Sequence, residues 1–320
     1  MDAPLYSAEY VDGAQEVMRR FLLPRLGSRA ISADTVAMKL APVRGHPMAK
    51  AAIEAAVLDA ELRLDGRRLA DHLGAVHDRV PAGVSVGIQD SIGALLDAVE
   101  GYLAEGYRRI KLKIQPGWDI EPVGAVRERF GDIALQVDAN AAYTLADAAQ
   151  LAGLDAFDLL LIEQPLAEDD IVDHARLAGQ IRTPICLDES IVSAKGAADA
   201  IELGACAIVN IKPGRVGGLL EAVRIHDLCV ARGVPVWCGG MLETGIGRAA
   251  NLALGALAGF TLTGDLSASA RYFHRDVTEP FVLDDGHVRV PEGPGIGVVP
   301  LGDVLEELTT SVETIRLNAE

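Results

Sequence analysis

The sequence predicts an α/β protein built as a (β/α)8 barrel. Three observations carry that prediction. Lys113, Asp138, Glu163, Asp188 and Lys212 recur at intervals of 25, 25, 25 and 24 residues. Each closes or follows a short apolar run of strand character: Arg109-Ile-Lys-Leu-Lys113, Ala134-Leu-Gln-Val-Asp138, Leu159-Leu-Leu-Ile-Glu163, Pro184-Ile-Cys-Leu-Asp188, and Ala207-Ile-Val-Asn-Ile before Lys212. A stretch of helical character lies between each pair, and a strand, a helix and two loops take about 25 residues, the size of one barrel unit. The C-terminal ends of barrel strands converge on one mouth, so three carboxylates flanked by two lysines are expected to meet there.

Residues 1 to about 80 read as helical. A helix is expected over Ser7–Leu23, with Ser7 as cap and Pro24 as stop, then another over Ile31–Leu40. Met48–Leu64 is rich in Ala, Leu and Glu and closed by Gly66, with small residues at Ala51, Ala52, Ala55 and Ala56 that permit close packing. Lys50 and Glu54, at i and i+4, read as a surface pair. Val84–Ile88 is the expected first barrel strand, Asp90–Glu105 its helix, and Arg108–Ile114 the second strand. Lys111 and Lys113 are two apart on it and point to the same side. A single charged residue at a strand end is usually solvated or a cap. Two same-side lysines in an apolar strand, and three carboxylates at equal spacing, need another explanation, because buried charge is costly. Converging carboxylates repel unless a cation sits among them, and hard oxygen donors favour Mg2+, with Mn2+ as a substitute. Val234–Cys238 is the seventh strand, and Gly239-Gly-Met-Leu-Glu-Thr-Gly-Ile-Gly247 after it is either a tight loop or a turn aiming N–H groups at an anion. Thr261–Asp265 is the eighth element. The tail, Phe281–Val299, has strand-like pieces with turns at Asp285-Gly286 and Pro294-Gly295 and is expected to pack back on the first helices.

Composition agrees with a large aliphatic core: half of the 320 residues are hydrophobic and 4% aromatic. A formal net charge of −17 argues against nucleic acid and anionic membranes as partners. Cys186, Cys206, Cys229 and Cys238 form no CxxC pair and read as small apolar residues in a reducing compartment. The histidines show no zinc-binding spacing. The start lacks a basic, apolar leader, and Ala249–Phe260, the longest apolar run, is too short to span a bilayer, so the cytoplasm is the expected location.

Lys111-Leu-Lys113, Asp138-Ala-Asn140, Glu163-Gln-Pro165, Asp188-Glu189, Asn210-Ile-Lys212-Pro-Gly and Gly239-Gly-Met241 together resemble the enolase superfamily, its muconate-lactonizing subgroup, and within it the o-succinylbenzoate synthases and N-acylamino acid racemases. The likeness runs along the whole chain, from Ala3-Pro-Leu-Tyr-Ser to Pro294-Gly-Ile-Gly. It implies a modified (β/α)8 TIM-type barrel (residues 81–280), a partial α+β capping domain (1–80, mostly helical), and a C-terminal segment (281–320) returning to the cap. It implies Mg2+ on Asp138, Glu163 and Asp188, with Lys113 and Lys212 as acid/base catalysts. Lys111 would help lower the pKa of Lys113, Glu189 would bond a lysine ammonium, and Asn140 would lie at the substrate. Gly239, Gly240 and Met241 would hold a succinyl or acyl arm.

The implied chemistry is removal of the proton α to a carboxylate through a metal-stabilised enediolate. It ends in racemisation, or in dehydration of 2-succinyl-6-hydroxy-2,4-cyclohexadiene-1-carboxylate to o-succinylbenzoate on the menaquinone pathway. The partners expected are a small carboxylate and further copies of the chain. Muconate cycloisomerase and dipeptide epimerase remain alternatives, although Gly240-Met241 lacks the Asp-x-Asp expected of the latter. A catalytically silent metal-binding barrel is the third reading. It arises because relatives carry a further N-terminal stretch that forms the cap's sheet and a closing loop, so that the chain is expected to be truncated or its start assigned late.

Overall fold

The structure, a computed structural model, describes residues 3–27 and 31–315; residues 1–2, 28–30 and 316–320, within the expected first and last segments, lie outside the described residues. The first helix begins at Val11, later than Ser7, because the Ser7 hydroxyl accepts the Glu9 N–H (3.2 Å) in a local turn and Tyr10 is still extended. Nor does Pro24 stop it. Pro24 has no N–H to give, the preceding residues Met18–Leu22 widen into a π-turn, and helix Leu23–Leu26 continues the axis. Helices Ala33–Leu40 and Pro47–Leu64 follow, and Leu22, Leu26, Val36, Leu40, Ala49 and Ile53 make a small core of their own.

Strand β1 (Arg79–Pro81) pairs antiparallel with β9 (His287–Arg289), near the end of the chain. Between them lie β2 (Gly83–Val86), β3 (Arg109–Lys113), β4 (Leu135–Asp138), β5 (Ile162–Glu163), β6 (Ile185–Leu187), β7 (Ile208–Ile211) and β8 (Val236–Cys238). These seven are parallel and neighbour one another in chain order. A helix after each packs on the outside, as parallel strands require. The eighth position is held by residues 262–265 without forming a regular strand. Leu262 N–H donates to Val236 O (3.4 Å), Asp265 N–H to Cys238 O (3.1 Å), and Gly83 N–H to Gly264 O (2.8 Å). Those bonds join β8 to β2 and close the ring. The last segment then runs back over helix Pro47–Leu64, where Arg63 donates to Val298 O (2.7 Å) and Asp59 accepts the Ile296 N–H (2.7 Å).

Glu54 is not part of a surface pair. It is 2% exposed, and its Oε1 accepts the Leu220 N–H (3.1 Å) at the start of barrel helix Leu219–Ala231. Lys50 turns instead to the Val43 carbonyl. Capping free N–H groups across two elements outweighs a local pairing in water. All four cysteines are free and buried. Among the described residues no helix is long and apolar enough to cross a membrane.

Candidate active site

Register explains how five strands bring their charges together. Lys113 lies opposite Asp138, and Asp138 opposite Glu163. Glu163 lies opposite Cys186, so Asp188, two residues on, points to the same side from slightly higher. Ile208 pairs with Cys186, which carries Lys212 inward in the same way. In an eight-position ring, β3 and β7 are four places apart, so Lys113 and Lys212 face each other across the mouth with the three carboxylates between.

Every oxygen of those carboxylates has a donor. Asp138 Oδ2 accepts from Lys113 Nζ (2.7 Å) and lies 3.1 Å from Lys111 Nζ, while its Oδ1 takes the Asn140 N–H (3.0 Å). Glu163 accepts from Lys111 (2.8 Å) and Asn210 Nδ2 (2.7 Å). Asp188 accepts from Lys212 (2.7 Å) and Arg215 (2.5 Å). The oxygens turn to these cations, and no group of three His, Cys, Asp or Glu donors is poised around one point among the described residues. Burial raises the Glu163 carboxyl, the neighbouring Asp138 adds to it, and together they push it up to about 8 against the pull of Lys111. Burial opposes ionisation of Asp138 and Asp188 as well, but Lys111 and Lys113 hold the first below its ordinary value, and Lys212 and Arg215 the second.

Lys111 is buried among carboxylates. Burial disfavours its charge, yet Asp265, Glu163 and Asp138 outweigh that and hold it well above its ordinary value. Its ammonium lies against three carboxylates, 2.5 Å from Asp265, 2.8 Å from Glu163 and 3.1 Å from Asp138. Lys113 is itself bonded to Asn140 Oδ1 as well as to Asp138. Burial disfavours the Lys212 ammonium too, but Asp188, Tyr6 and Glu163 together outweigh it and raise its pKa. Among the described residues Glu189 bonds no lysine. Its Oε1 accepts from Asn140 Nδ2 (2.9 Å) and its Oε2 lies 3.8 Å from Arg215. Burial, then Asp188, raise its carboxyl. The glycine-rich turn offers no open anion cradle at the points described: Gly245 N–H is taken by Asp276 (2.8 Å) and Met241 N–H by Glu243 (2.7 Å). Its glycines serve close approach. A Cβ on Gly239 would stand 2.6 Å from Lys212 Cε, and one on Gly240 would meet the Asp265 carbonyl oxygen.

Several site residues were not singled out from sequence. Gln164 accepts the N–H groups of Asp188 (3.0 Å) and Ser190 (3.2 Å), tying the β5 end to the β6 end, which gives a reason for the Glu-Gln-Pro run. Tyr6 reaches across from the first segment, and its hydroxyl accepts from Lys212 (3.0 Å) and Arg215 (2.7 Å). Asp265 pairs with both Arg109 (2.7 Å) and Lys111 (2.5 Å). Below this charged level the interior turns apolar, with Leu161, Cys186, Ile208 and Trp237 packed together. At the mouth a cavity of about 820 Å³ opens between Tyr6, Glu9, Glu168, Glu189 and Arg215.

Residues 94–304 match the family described as enolase C-terminal domain-like. The chain belongs to the enolase superfamily. It is 65% identical over 313 residues to an N-succinylamino acid racemase of Amycolatopsis sp, covering 97% of this chain and 85% of that one. It is 52% identical to an o-succinylbenzoate synthase of Geobacillus kaustophilus, over 92% of this chain and 79% of the relative. The crystal structure of an enolase superfamily member from Listeria innocua superposes with a TM-score of 0.95 at 42% identity, over 99% of this chain and 86% of that chain. Members of the enolase superfamily are metal-dependent enzymes that act on small carboxylates.

Proposed function

We propose that this chain removes the proton α to the carboxylate of an N-succinylamino acid or of a cyclohexadiene carboxylate, and so acts as a racemase, an o-succinylbenzoate synthase, or both. The observation that carries the proposal is the opposed pair of lysine side chains, Lys113 and Lys212, with Asp138 bonded to one and Asp188 to the other. The names of the relatives support the same reading.

Asp138, Glu163 and Asp188 are the residues we assign to a divalent cation, Mg2+ above all. Their chemistry fits one: three carboxylates, all buried, all hard oxygen donors, side by side. Burial and the neighbouring Asp138 raise the Glu163 carboxyl, which supports a place here for further positive charge. When bound, such an ion supplies positive charge for the substrate carboxylate, which makes its α-proton more acidic.

The chain's own residues do the proton transfers. Lys113, in its neutral amine form, takes the α-proton from one face and becomes the ammonium, and the C–H electron pair passes into the substrate carboxylate. Lys212 gives a proton to the opposite face, which inverts the centre; the reverse reaction exchanges their roles. Where the substrate carries a β-hydroxyl, Lys113 takes the α-proton as base and returns it to the departing hydroxyl, which leaves as water while the C–H electron pair forms the new double bond of the aromatic ring. Asn140 holds Lys113 in place, and Tyr6 holds Lys212. Lys212, Gly239 and Met241 share a cavity of about 200 Å³, which supports a role for Gly239 and Met241 at the acyl arm. Residues 81–280 are the catalytic barrel in this reading, capped by residues 1–80 and the returning tail.

The test is proton NMR of N-succinyl-L-phenylglycine in D2O with Mg2+ and the chain. Loss of the α-proton signal with appearance of the D-isomer is expected. No exchange with this substrate and no conversion of the cyclohexadiene carboxylate would overturn the proposal.

A further inference from the structure

One carboxylate in the buried network has no part in the proton transfers. Asp265 Oδ2 lies 2.5 Å from Lys111 Nζ. The same ammonium is 2.8 Å from Glu163 and 3.1 Å from Asp138, two of the residues assigned to the cation. A lysine that stays on those oxygens competes with a metal ion for them.

We propose that Asp265 is a positioning residue that draws the Lys111 ammonium off Asp138 and Glu163, freeing their oxygens for a divalent cation. This rests on the metal assignment made above. Asp265 is well placed for it because it cannot follow the lysine. Its N–H is tied to Cys238 O (3.1 Å). Gly240 and Gly264 bring the segment in tightly: a Cβ on Gly264 would stand 2.5 Å from Cys238 O. On its far side Arg109, 1% exposed, pairs with Asp265 at 2.7 Å, and its guanidinium is held over the Trp237 ring at 5.4 Å. Gly83 leaves the room for that guanidinium, since a Cβ there would stand 2.5 Å from Arg109 Cζ. Lys111, by contrast, hangs on a flexible four-carbon stem, so it is the partner that moves. An arriving dication repels it, and Asp265 is the acceptor that remains.

The experiment is a Mn2+ titration of the full chain without substrate, read by calorimetry and by the free-Mn2+ electron paramagnetic resonance signal. Wild type is compared with Asp265→Asn, Asp265→Glu, Lys111→Met and the double variant Lys111→Met/Asp265→Asn, each shown folded by its thermal melt. Asp265→Asn is expected to weaken Mn2+ about 10–100-fold, the usual effect of losing a partner just outside a metal's ligands. Asp265→Glu, which keeps the carboxylate, is expected to recover most of that loss. In the Lys111→Met background the Asp265→Asn change is expected to have little effect, because the competitor is gone. An unchanged Kd in Asp265→Asn, or an equal loss in both backgrounds, would overturn the proposal. Glu163→Gln in the same titration separates the two ideas. If it weakens Mn2+ while Asp265→Asn does not, only the role of Asp265 falls; if wild type does not bind Mn2+, or Glu163→Gln binds as well as wild type, the metal assignment falls and takes this inference with it.

Discussion

Removing Lys212 should separate proton removal from inversion. The residue is buried, and its ammonium is shared between Asp188 (2.7 Å) and the Tyr6 hydroxyl (3.0 Å). In Lys212→Ala, Asp188 keeps Arg215 at 2.5 Å, so the carboxylate is not stranded and the fold should hold. One positioned acid or base is worth about 10²- to 10⁴-fold, or about 3 to 5 kcal/mol of barrier. Because Lys113 remains on the other face, one enantiomer of an N-succinylamino acid should still exchange its α-proton with D2O, while the other should exchange about 10²- to 10⁴-fold more slowly. Racemisation needs both faces and should vanish. Lys113→Ala should give the mirror result. The assay is enantiomer-resolved NMR with chiral chromatography of the product. Two-way racemisation near the wild-type rate in either variant would refute the opposed-lysine argument, as would equal slowing of both enantiomers in both variants.

Glu163→Gln should weaken Mg2+ and Mn2+ binding at least about tenfold by calorimetry, since it removes the charge from a hard oxygen ligand. Gly239→Ala should cut kcat sharply, with a smaller change in melting temperature, because its Cβ would stand 2.6 Å from Lys212 Cε. Glu54→Gln addresses the cap. Burial raises the Glu54 carboxyl, so the folded state holds that proton more tightly than the unfolded chain does. Its contribution is therefore greatest below the ordinary carboxyl pKa of about 4.5 and is lost as pH rises through the raised value. Urea unfolding should show Glu54→Gln gaining on wild type as pH rises above about 4.5, and a difference that is flat or falls with pH would count against it.

The barrel and the core of its site were legible because strand geometry is periodic. A spacing of 25 residues with two-residue alternation was enough to put Lys113, Asp138, Glu163, Asp188 and Lys212 on one inward face, as the strand pairings do. Asp265 escaped notice because residues 262–265 form no regular strand, so Thr-Leu-Thr-Gly-Asp265 offered no alternation that would aim a side chain. Arg215 sits in a short helical turn, Pro213–Val216, after its strand, and Tyr6 arrives from 206 positions away. No local pattern encodes either contact. Glu54 was misread for the opposite reason: the i,i+4 rule describes an isolated helix in water, and this face is buried against another helix.

Trp237 has a consequence of a different kind. The chain has two tryptophans, and this one is fully buried with Lys111 Nζ 4.9 Å above its ring and Arg109 beside it. Indole emission responds to the field of nearby charges, so the floor of the barrel contains a native optical probe. Any event that moves the Lys111 ammonium, whether a cation arriving or a substrate leaving, is written into its fluorescence without a label.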